Sequence, residues 1–199
     1  MAALFSRKKE FQERYGKRIP PGQTVTEKWP VLHHGSVPRV DLARWDFRIF
    51  GEVEEEVRLT YPEFTSLPTA EARCDIHCVT HWSRMDNTFS GVPFKELMKR
   101  VRLKPAARFV ILHCEHGFTT NLPIEACMDD DVLWAWKHDG KDLTPEHGWP
   151  LRLVVPKRYF WKSAKWVRGL EFSAVDKPGF WEQNGYHNDA DPFKEERYG

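Results

Sequence analysis

Alternating apolar residues along the chain predict a domain rich in β-strands. In the segment RWDFRIFGEVEEEVRLT, the side chains of Trp45, Phe47 and Ile49 fall on one face of an extended chain. Val57 and Leu59 repeat this spacing after a charged break. Because strand side chains alternate between two faces, the segment predicts two strands joined by a turn.

Shorter apolar runs predict the remaining strands, and local capping signals predict two helices. The strand candidates are RCDIHCVT, ARFVILHC, LRLVVP and WVRGLEFSAV, and the apolar stretch of DDVLWAWKHDGKDL ends in a turn at Asp139-Gly140. TYPEFTSLP predicts a short helix, with Thr60 as N-cap and Glu63 completing a capping box. SGVPFKELMKRVRL predicts a second helix capped by Ser90, which follows a loop in THWSRMDNTFSG.

The two ends of the chain differ from its centre in composition. Residues 1–30 are polar and basic, and they predict an arm laid on the domain. Residues 31–175 hold most of the predicted strands and helices, so they predict a single mixed domain of the α+β class with strands in the majority. Residues 176–199 are rich in Gly, Asn, Asp and aromatic side chains without periodicity, which predicts a tail packed on the domain.

Length, charge and cysteine content narrow the class of protein. A chain of 199 residues is long enough for one well-buried core. Its net charge of +1 gives no reason to expect binding to nucleic acid or to a membrane. Four unevenly spaced cysteines do not resemble a disulfide framework, and no stretch resembles an export signal or a membrane span. We therefore expect a cytoplasmic protein whose reduced thiols are free to bind metal.

The densest group of reactive residues is DIHCVTHWS, residues 75–83. Cys78 stands at the predicted end of a strand, where side chains are well placed to meet a ligand. A thiolate is the form of cysteine that binds metal, and it favours soft metals. A lone cysteine on a strand is also often a small buried hydrophobe, so these residues alone leave a metal ligand and a core thiol open.

Zinc is a weaker interpretation of the same region. The chain offers six candidate ligands for it: Cys74, Cys78, His81, His113, Cys114 and His116. Their spacing lacks the paired C-x2-C knuckles of common structural zinc sites. In addition, Cys74 and Cys78 would lie about 13 Å apart along a regular strand, which is too far for both to bind one ion.

The strongest charge signal lies in PLRLVVPKRYFWKSAKWVRG, residues 150–169. Six cations occur there with no acid among them: Arg152, Lys157, Arg158, Lys162, Lys165 and Arg168. Aromatic residues are interleaved with these cations, and Ser163 adds a hydroxyl and a backbone N–H. The segment predicts an anion site, and the near-neutral chain favours a discrete phosphate over a polyanion. A solvated edge strand protected by lysines is the alternative.

These two segments, in this order, resemble the molybdopterin-binding domain of the sulfite-oxidase family. HCVTHWS...FSGVPFKELM is similar to the family's segment with the cysteine ligand of molybdenum, and HGWPLRLVVPKRYFWKSAKWV to the segment that holds the pterin and its phosphate. The resemblance runs from WPVLHHGSVPRV to the tail FWEQNGYHNDADPFKEERYG. It is greatest for the single-domain bacterial branch that includes the methionine-sulfoxide reductase catalytic subunit. It implies that family's strand-rich α+β fold and a molybdenum–molybdopterin cofactor.

The resemblance also implies roles for individual residues. Cys78 would be the protein thiolate on molybdenum, and therefore the catalytic metal ligand. Contacts with the pterin or its phosphate are implied for His33, His34, Cys114, His147, Arg152, Ser163, Ala164 and Lys165. The candidate neighbours of the substrate are His81, Trp82, Arg84 and His116.

The implied activity is two-electron oxygen-atom transfer on a small substrate such as a sulfoxide, an N-oxide or sulfite. Sulfite oxidases follow the ligand cysteine with an arginine-bearing segment, whereas VTHWSRMDN offers Arg84 as its one anion contact, which disfavours sulfite. The chain shows no further redox centre, so we expect an external electron-transfer protein with a flavin, a haem or an iron–sulfur cluster. The alternative from another class is a cofactor-free module that binds nucleic acid or phosphorylated ligands through residues 150–169.

Overall fold

The computed structural model describes residues 2–199, with side chains from residue 9 onward. Within this part the strands are β1 (Thr24–Val25), β2 (Asp46–Gly51), β3 (Val57–Thr60), β4 (Ala70–His77), β5 (Trp82–Pro93), β6 (Phe109–Cys114), β7 (Thr119–Pro123), β8 (Leu133–His138), β9 (Lys141–Asp142), β10 (Arg152–Val154) and β11 (Val167–Ser173). The α-helices are α1 (Ala2–Tyr15), α2 (Tyr61–Thr65), α3 (Phe94–Met98), α4 (Ile124–Cys127) and α5 (Phe180–Gln183). Short 3-10 turns cover Gly16–Arg18, Glu115–Gly117, Pro145–His147 and Pro192–Lys194.

The strands form two mixed sheets. The first sheet has the order β1-β5-β8-β10, with β4 added to β5 and β9 added to β8. The second sheet has the order β3-β2-β11-β6-β7. Its parallel pair is β2 with β11, and that of the first sheet is β1 with β5, while the other neighbours run antiparallel. The predicted strand-rich α+β class is confirmed.

The two sheets pack against each other over the larger apolar cluster. Phe47 from β2, Val110 from β6 and Trp134 from β8 are fully buried there. The ring centroids of Phe47 and Trp134 lie 5.0 Å apart, so aromatic contacts join the sheets. Leu133 and Ala135 of β8 instead belong to a second buried cluster. Alternation along one strand therefore supplies two apolar cores.

Several local predictions are confirmed. Strands β2 and β3 pair antiparallel, as the alternation indicates. At the start of α2, the Thr60 side chain accepts a hydrogen bond from the Glu63 N–H, and the Glu63 carboxylate accepts one from the Thr60 N–H. Asp139 and Gly140 have φ angles of 49° and 75° and connect β8 to β9. Positive φ at both positions is the requirement of a tight type I′ hairpin.

The prediction for the segment after Cys78 is wrong. THWSRMDNTFSG is not a loop, because β5 occupies most of it and pairs with β4 and β8. Helix α3 follows Pro93, so Ser90 lies in the strand and does not cap a helix. Ser83 and Asn87 occupy inward positions of β5 and are fully buried. Their polarity conceals the period-two pattern on which strand prediction depends.

Both ends of the chain contact the centre of the molecule. Strand β1 extends the first sheet by pairing with the start of β5. In the tail, Gly179 packs so closely that an added Cβ would lie 2.3 Å from the carbonyl oxygen of Thr119. The division of the chain at residues 30 and 175 stays a prediction. Among the helices of the described residues, none has the length and apolar character needed to cross a membrane.

Candidate active site

A cavity of about 500 Å³ lies where five segments of the chain meet. Its wall is formed by residues from 29–36, 78–82, 115–118, 147–166 and 180–186. Strand ends supply most of this wall: one segment follows β4, one follows β6, and another contains the start of β10 and the residues before β11. Side chains at strand ends are held by a rigid scaffold while facing a ligand.

Cys78 lies in the turn between β4 and β5 and lines the cavity. Its N–H donates to the Trp82 carbonyl at 2.8 Å, and its own carbonyl accepts from the His81 N–H at 3.1 Å. The Thr80 hydroxyl lies 3.1 Å from the sulfur. Burial raises the pKa of the Cys78 thiol, and the hydrogen bond with Thr80 opposes that shift. Without a cation at the sulfur, the neutral thiol is the favoured form.

Arg152, the first residue of β10, is a buried cation in the cavity wall. Its two Nη atoms donate to the carbonyls of His147 and Ser163 at 2.8 and 2.7 Å, whereas its buried Nε has no partner. The guanidinium lies 4.2 Å from the Phe160 ring and 5.4 Å from that of Trp29. Burial lowers the pKa of Arg152 to about 9. Within the described residues, no carboxylate is close enough to form an ion pair with it.

Lys165 is the second cation of the cavity wall. Its ammonium donates to the carbonyls of Leu32 and Glu146, both at 2.8 Å. Burial, followed by the charge of Arg152, lowers the pKa of Lys165 to about 7. Arg152 is buried and Lys165 is partly buried, and both are paired with neutral oxygens, so they leave a net positive charge in this part of the cavity. Such a charge is costly unless an anion neutralises it.

The other four cations of residues 150–169 have carboxylate partners. The ion pairs are Lys157 with Asp129, Arg158 with Asp189, Lys162 with Glu182, and Arg168 with Asp46 and Glu115. Four of the six cations in the segment of the predicted anion site are therefore neutralised by the protein itself. Only Arg152 and Lys165, among the lysines and arginines of the described chain, line the cavity. The acids that neutralise the rest come from distant parts of the sequence, which a local pattern does not reveal.

Most other predicted cofactor contacts are brought to the same cavity. His33, His34, His147, Ser163 and Ala164 all line it. The His147 ring contacts the Trp29 carbonyl at 3.3 Å and the Thr144 hydroxyl at 3.1 Å. The ring centroids of His34 and Phe180 lie 4.2 Å apart.

Ser163 and Cys114 differ from expectation in detail. The Ser163 hydroxyl accepts from the Val155 N–H, and its backbone N–H donates to the Phe160 carbonyl, so that N–H is already engaged. Cys114 is buried in the larger core cluster, and the cavity wall begins one residue later, at Glu115.

The four candidate substrate neighbours divide into two pairs. Trp82 and His116 line the cavity. His81 instead contacts the Gly22 carbonyl through Nδ1, at 2.9 Å. Arg84 lies outside the wall, paired with Asp139 at 2.7 Å. The side chain proposed as an anion contact is thus engaged elsewhere.

The candidate zinc ligands are dispersed. Cys74 belongs to the second core cluster, whereas Cys114 belongs to the larger one. His113 pairs with Glu171 at 2.8 Å. Within the described residues, no three His, Cys, Asp or Glu side chains gather in a metal-binding group. A protein that contributes a single thiolate to its metal does not require such a group.

Sequence reasoning identified Trp82 but missed other aromatic residues of the wall. Trp29 lies 4.0 Å from His147 between ring centroids, and Trp161, Trp181 and Tyr186 form a contact group at 4.9–5.0 Å. All four line the cavity. The high aromatic content and the interleaved rings of residues 150–169 were the available signals, but they did not indicate that the tail would complete the wall.

The cavity suits a ligand that combines an anionic group, a flat ring system and a soft metal. Arg152 and Lys165 supply positive charge that lacks a carboxylate, and the unpartnered Nε of Arg152 is a free donor. Trp29 and Phe160 offer aromatic surface, and Cys78 offers a sulfur ligand. Molybdopterin, with its phosphate, its pterin and its bound molybdenum, has these three parts. The residues present therefore fit this cofactor.

Comparisons with known proteins agree with this chemistry. The family model described as the oxidoreductase molybdopterin binding domain matches residues 34–181. The uncharacterized oxidoreductase YuiH of Bacillus subtilis is 46% identical over 182 residues, which cover 91% of this chain and 92% of that protein. The putative protein-methionine-sulfoxide reductase subunit YedZ1 of Azospira oryzae is 26% identical, covering 85% of this chain and 65% of the relative.

Larger proteins share the domain. A nitrate reductase [NADH] of Volvox carteri is 25% identical over 87% of this chain, but the match spans only 23% of that enzyme. The sulfane dehydrogenase SoxCD of Paracoccus pantotrophus has a similar fold, with a TM-score of 0.67 and 22% identity, over 77% of this chain and 43% of that chain. The protein described here belongs to the oxidoreductase molybdopterin-binding domain family, is an enzyme, and uses molybdenum–molybdopterin as its cofactor.

Proposed function

We propose that this oxidoreductase catalyses two-electron oxygen-atom transfer on a small substrate, with the Cys78 thiolate as the protein ligand of molybdenum. One observation carries the proposal: Cys78 lines the same cavity as the two cations without carboxylate partners, Arg152 and Lys165. In this proposal the cations hold the phosphate of the cofactor and the thiolate holds its metal.

The chain's own residues bind and orient in this scheme. Lys165 would exchange its carbonyl partners for the phosphate, and Arg152 would add the N–H of Nε. Trp29 and Phe160 would flank the ring system and exclude water from it. When bound, the cofactor supplies the exchange of an oxygen atom and two electrons with the substrate. In the reducing direction, an oxide R₂S=O takes up two electrons and two protons and leaves as R₂S and water.

The charge of the wall favours a neutral sulfoxide or N-oxide over sulfite. Arg152 and Lys165 are the only lysine or arginine side chains of the described residues in the wall, and the proposal assigns both to the phosphate. Arg84 pairs with Asp139 and does not line the cavity. An anionic substrate would therefore lack a cation of its own, whereas Trp82 and the aromatic tail offer surface to a neutral one.

The electrons must come from, or go to, a partner. We propose an external electron-transfer protein with a flavin, a haem or an iron–sulfur cluster, since the relatives include a putative reductase subunit and pyridine-nucleotide-linked nitrate reductases. The alternative of a cofactor-free module for nucleic acid or phosphorylated ligands has no support. Four of the six cations that it would use are neutralised by carboxylates.

Metal analysis and absorption spectroscopy of protein made in a host that assembles molybdopterin test the proposal. We expect stoichiometric molybdenum and a cysteine-sulfur-to-molybdenum absorption band in the wild type, and we expect Cys78→Ala to lose that band whether or not the cofactor keeps its molybdenum. Cys74→Ala is the matched control, because Cys74 is buried four residues earlier in the second core cluster and does not line the cavity. Retention of that band by Cys78→Ala, in folded and molybdenum-loaded protein, would contradict the thiolate assignment.

A further inference from the structure

The turn that bears Cys78 is held by both ends of the chain. From the arm, the Gln23 side chain donates through Nε2 to the carbonyl of Cys78, at 3.0 Å. From the tail, Arg197 donates through Nη1 to the carbonyl of Val79, at 2.7 Å. Two consecutive carbonyls of the turn are thus fixed by side chains that are remote from it in sequence.

Because peptide units are planar, these two contacts also fix the direction of the N–H groups near the sulfur. The C=O and N–H of one trans peptide unit point in opposite directions. The Cys78 carbonyl shares its peptide unit with the N–H of Val79, and the Val79 carbonyl shares one with the N–H of Thr80. Hydrogen bonding by both of these N–H groups, and by the Thr80 hydroxyl at 3.1 Å from Sγ, lowers the pKa of the Cys78 thiol against the larger effect of burial. Fixing the carbonyls on the outer side therefore aims two N–H donors at Sγ.

We propose that Gln23 and Arg197 are positioning residues that aim the N–H groups of Val79 and Thr80 at the sulfur ligand of molybdenum. The inference rests on the proposed role of Cys78. Hydrogen bonds to a metal-bound sulfur withdraw charge from it and raise the reduction potential of the centre. The two residues would thereby tune the metal without touching it.

The surroundings of Arg197 are built to hold this geometry. Arg197 is 7% exposed, and its guanidinium lies 4.9 Å from the Tyr159 ring. Nη2 reaches the Pro21 carbonyl at 3.4 Å and lies 3.6 Å from Glu195. An added Cβ at Gly22 would meet the same Nη2 at 3.1 Å. Arm, tail and turn are thus packed together around one guanidinium.

A second set of contacts fixes the far end of the turn to the arm. The Thr24 N–H donates to the His81 carbonyl at 2.9 Å, and the His81 ring contacts the Gly22 carbonyl. His81, expected beside the substrate, serves this attachment. The arm thus holds the turn at Cys78 and at His81. The peptide unit between Val79 and Thr80 lies between these two points, and Arg197 fixes its orientation through the Val79 carbonyl.

The test compares Arg197→Met with a matched control, Arg158→Met, in the molybdenum-loaded protein. Arg158 also links the domain to the tail, through Asp189 at 2.9 Å, but it does not contact the turn. Three quantities are measured: hydrogen exchange of the Thr80 amide, absorption from cysteine-sulfur-to-molybdenum charge transfer, and the midpoint potential of the metal. Thermal unfolding of both variants reports the general loss of tail contacts.

In Arg197→Met we expect exchange of the Thr80 amide to accelerate by at least about tenfold. We also expect a displaced charge-transfer band and a more negative midpoint potential. Arg197→Lys, which retains one donor for the Val79 carbonyl, should restore much of each shift, while Arg158→Met should match the wild type. Should Arg197→Met fail to fold, Gln23→Met provides the same test through the Val79 amide.

Two results would overturn the inference: unchanged spectrum, potential and exchange in Arg197→Met, or equal changes in Arg158→Met, which would trace them to a loosened tail. Failure of the underlying function is recognised separately. A cysteine-sulfur-to-molybdenum band retained by Cys78→Ala refutes the ligand assignment, whereas a band lost there and an unaffected Arg197→Met refute the positioning role alone.

Discussion

Lys162 and Lys165 are close together in the sequence, but their positive charges are balanced in different ways. Lys162 is fully buried on the side of the tail, where its ammonium lies 2.7 Å from the Glu182 carboxylate and also donates to Asn121. Lys165 faces the cavity and donates to two backbone carbonyls. One charge is neutralised by the protein itself, and the other is left for a ligand.

The difference separates structural cations from binding cations within one segment. A buried ion pair joins the tail to the domain: Glu182 also accepts from Trp161 and from Thr120. A partly buried cation without a counter-ion, such as Lys165, weakens the cofactor-free protein and strengthens the binding of an anion. Charge density along the sequence is therefore a poor measure of an anion site, and the absence of a carboxylate partner is a better one.

Breaking the structural pair should have the largest effect. Glu182→Gln retains the shape of the side chain but leaves the Lys162 ammonium buried without an opposite charge, so we expect a loss of about 3–5 kcal/mol in the free energy of unfolding. Urea denaturation of the cofactor-free protein measures it. The double variant Lys162→Met with Glu182→Leu should lose much less. A loss below about 1 kcal/mol for Glu182→Gln would show that the pair behaves like an exposed one.

The cavity cation should behave in the opposite way. Lys165→Met removes an uncompensated charge, so the cofactor-free protein should keep its stability or gain some. Affinity for molybdopterin should fall by about 1.5–3 kcal/mol, or roughly 10- to 150-fold, because a hydrogen bond to a charged phosphate is lost. Titration of the cofactor-free protein with molybdopterin measures this affinity. Unchanged affinity would remove Lys165 from the phosphate site.

The pH dependence of cofactor affinity should follow the lowered pKa of Lys165. In the cofactor-free protein this pKa is about 7, so the ammonium loses its proton as the pH rises through that value. The phosphate favours the protonated form, and affinity should fall by up to about tenfold per pH unit between pH 7 and 9. Lys165→Met should lack this slope. An equal slope in the variant would assign the effect to another group.

How much of this arrangement the sequence predicts depends on the range of the interactions. The paired strands β2 and β3, the Thr60 capping box and the Asp139-Gly140 turn follow from neighbouring residues, and these predictions are confirmed. The resemblance placed Arg152 and Lys165 together with Cys78, and the structure brings all three to one cavity.

Long-range contacts could not be predicted from local patterns. Nothing near Lys162 in the sequence indicates Glu182 as its partner, and a tail without periodicity gives no sign that Arg197 reaches the Cys78 turn. Strand β5 was missed for a related reason. Asn87 is buried because it donates to the carbonyls of Cys74 and Arg84, and a buried polar side chain resembles a loop residue until its partners are known.

Substitution of an exposed cation of the same segment should change stability and cofactor affinity least. Lys157 pairs with Asp129 at 2.9 Å, but its side chain is 63% exposed and lies outside the cavity wall. Solvent screens such a pair, so Lys157→Gln should change the free energy of unfolding by less than about 0.5 kcal/mol. Molybdopterin affinity should stay at the wild-type value under low and high salt alike. A salt-dependent loss of affinity would instead show that Lys157 attracts the phosphate from outside the cavity. Cations paired with carboxylates would then also contribute to cofactor binding, and the two groups would not be separate.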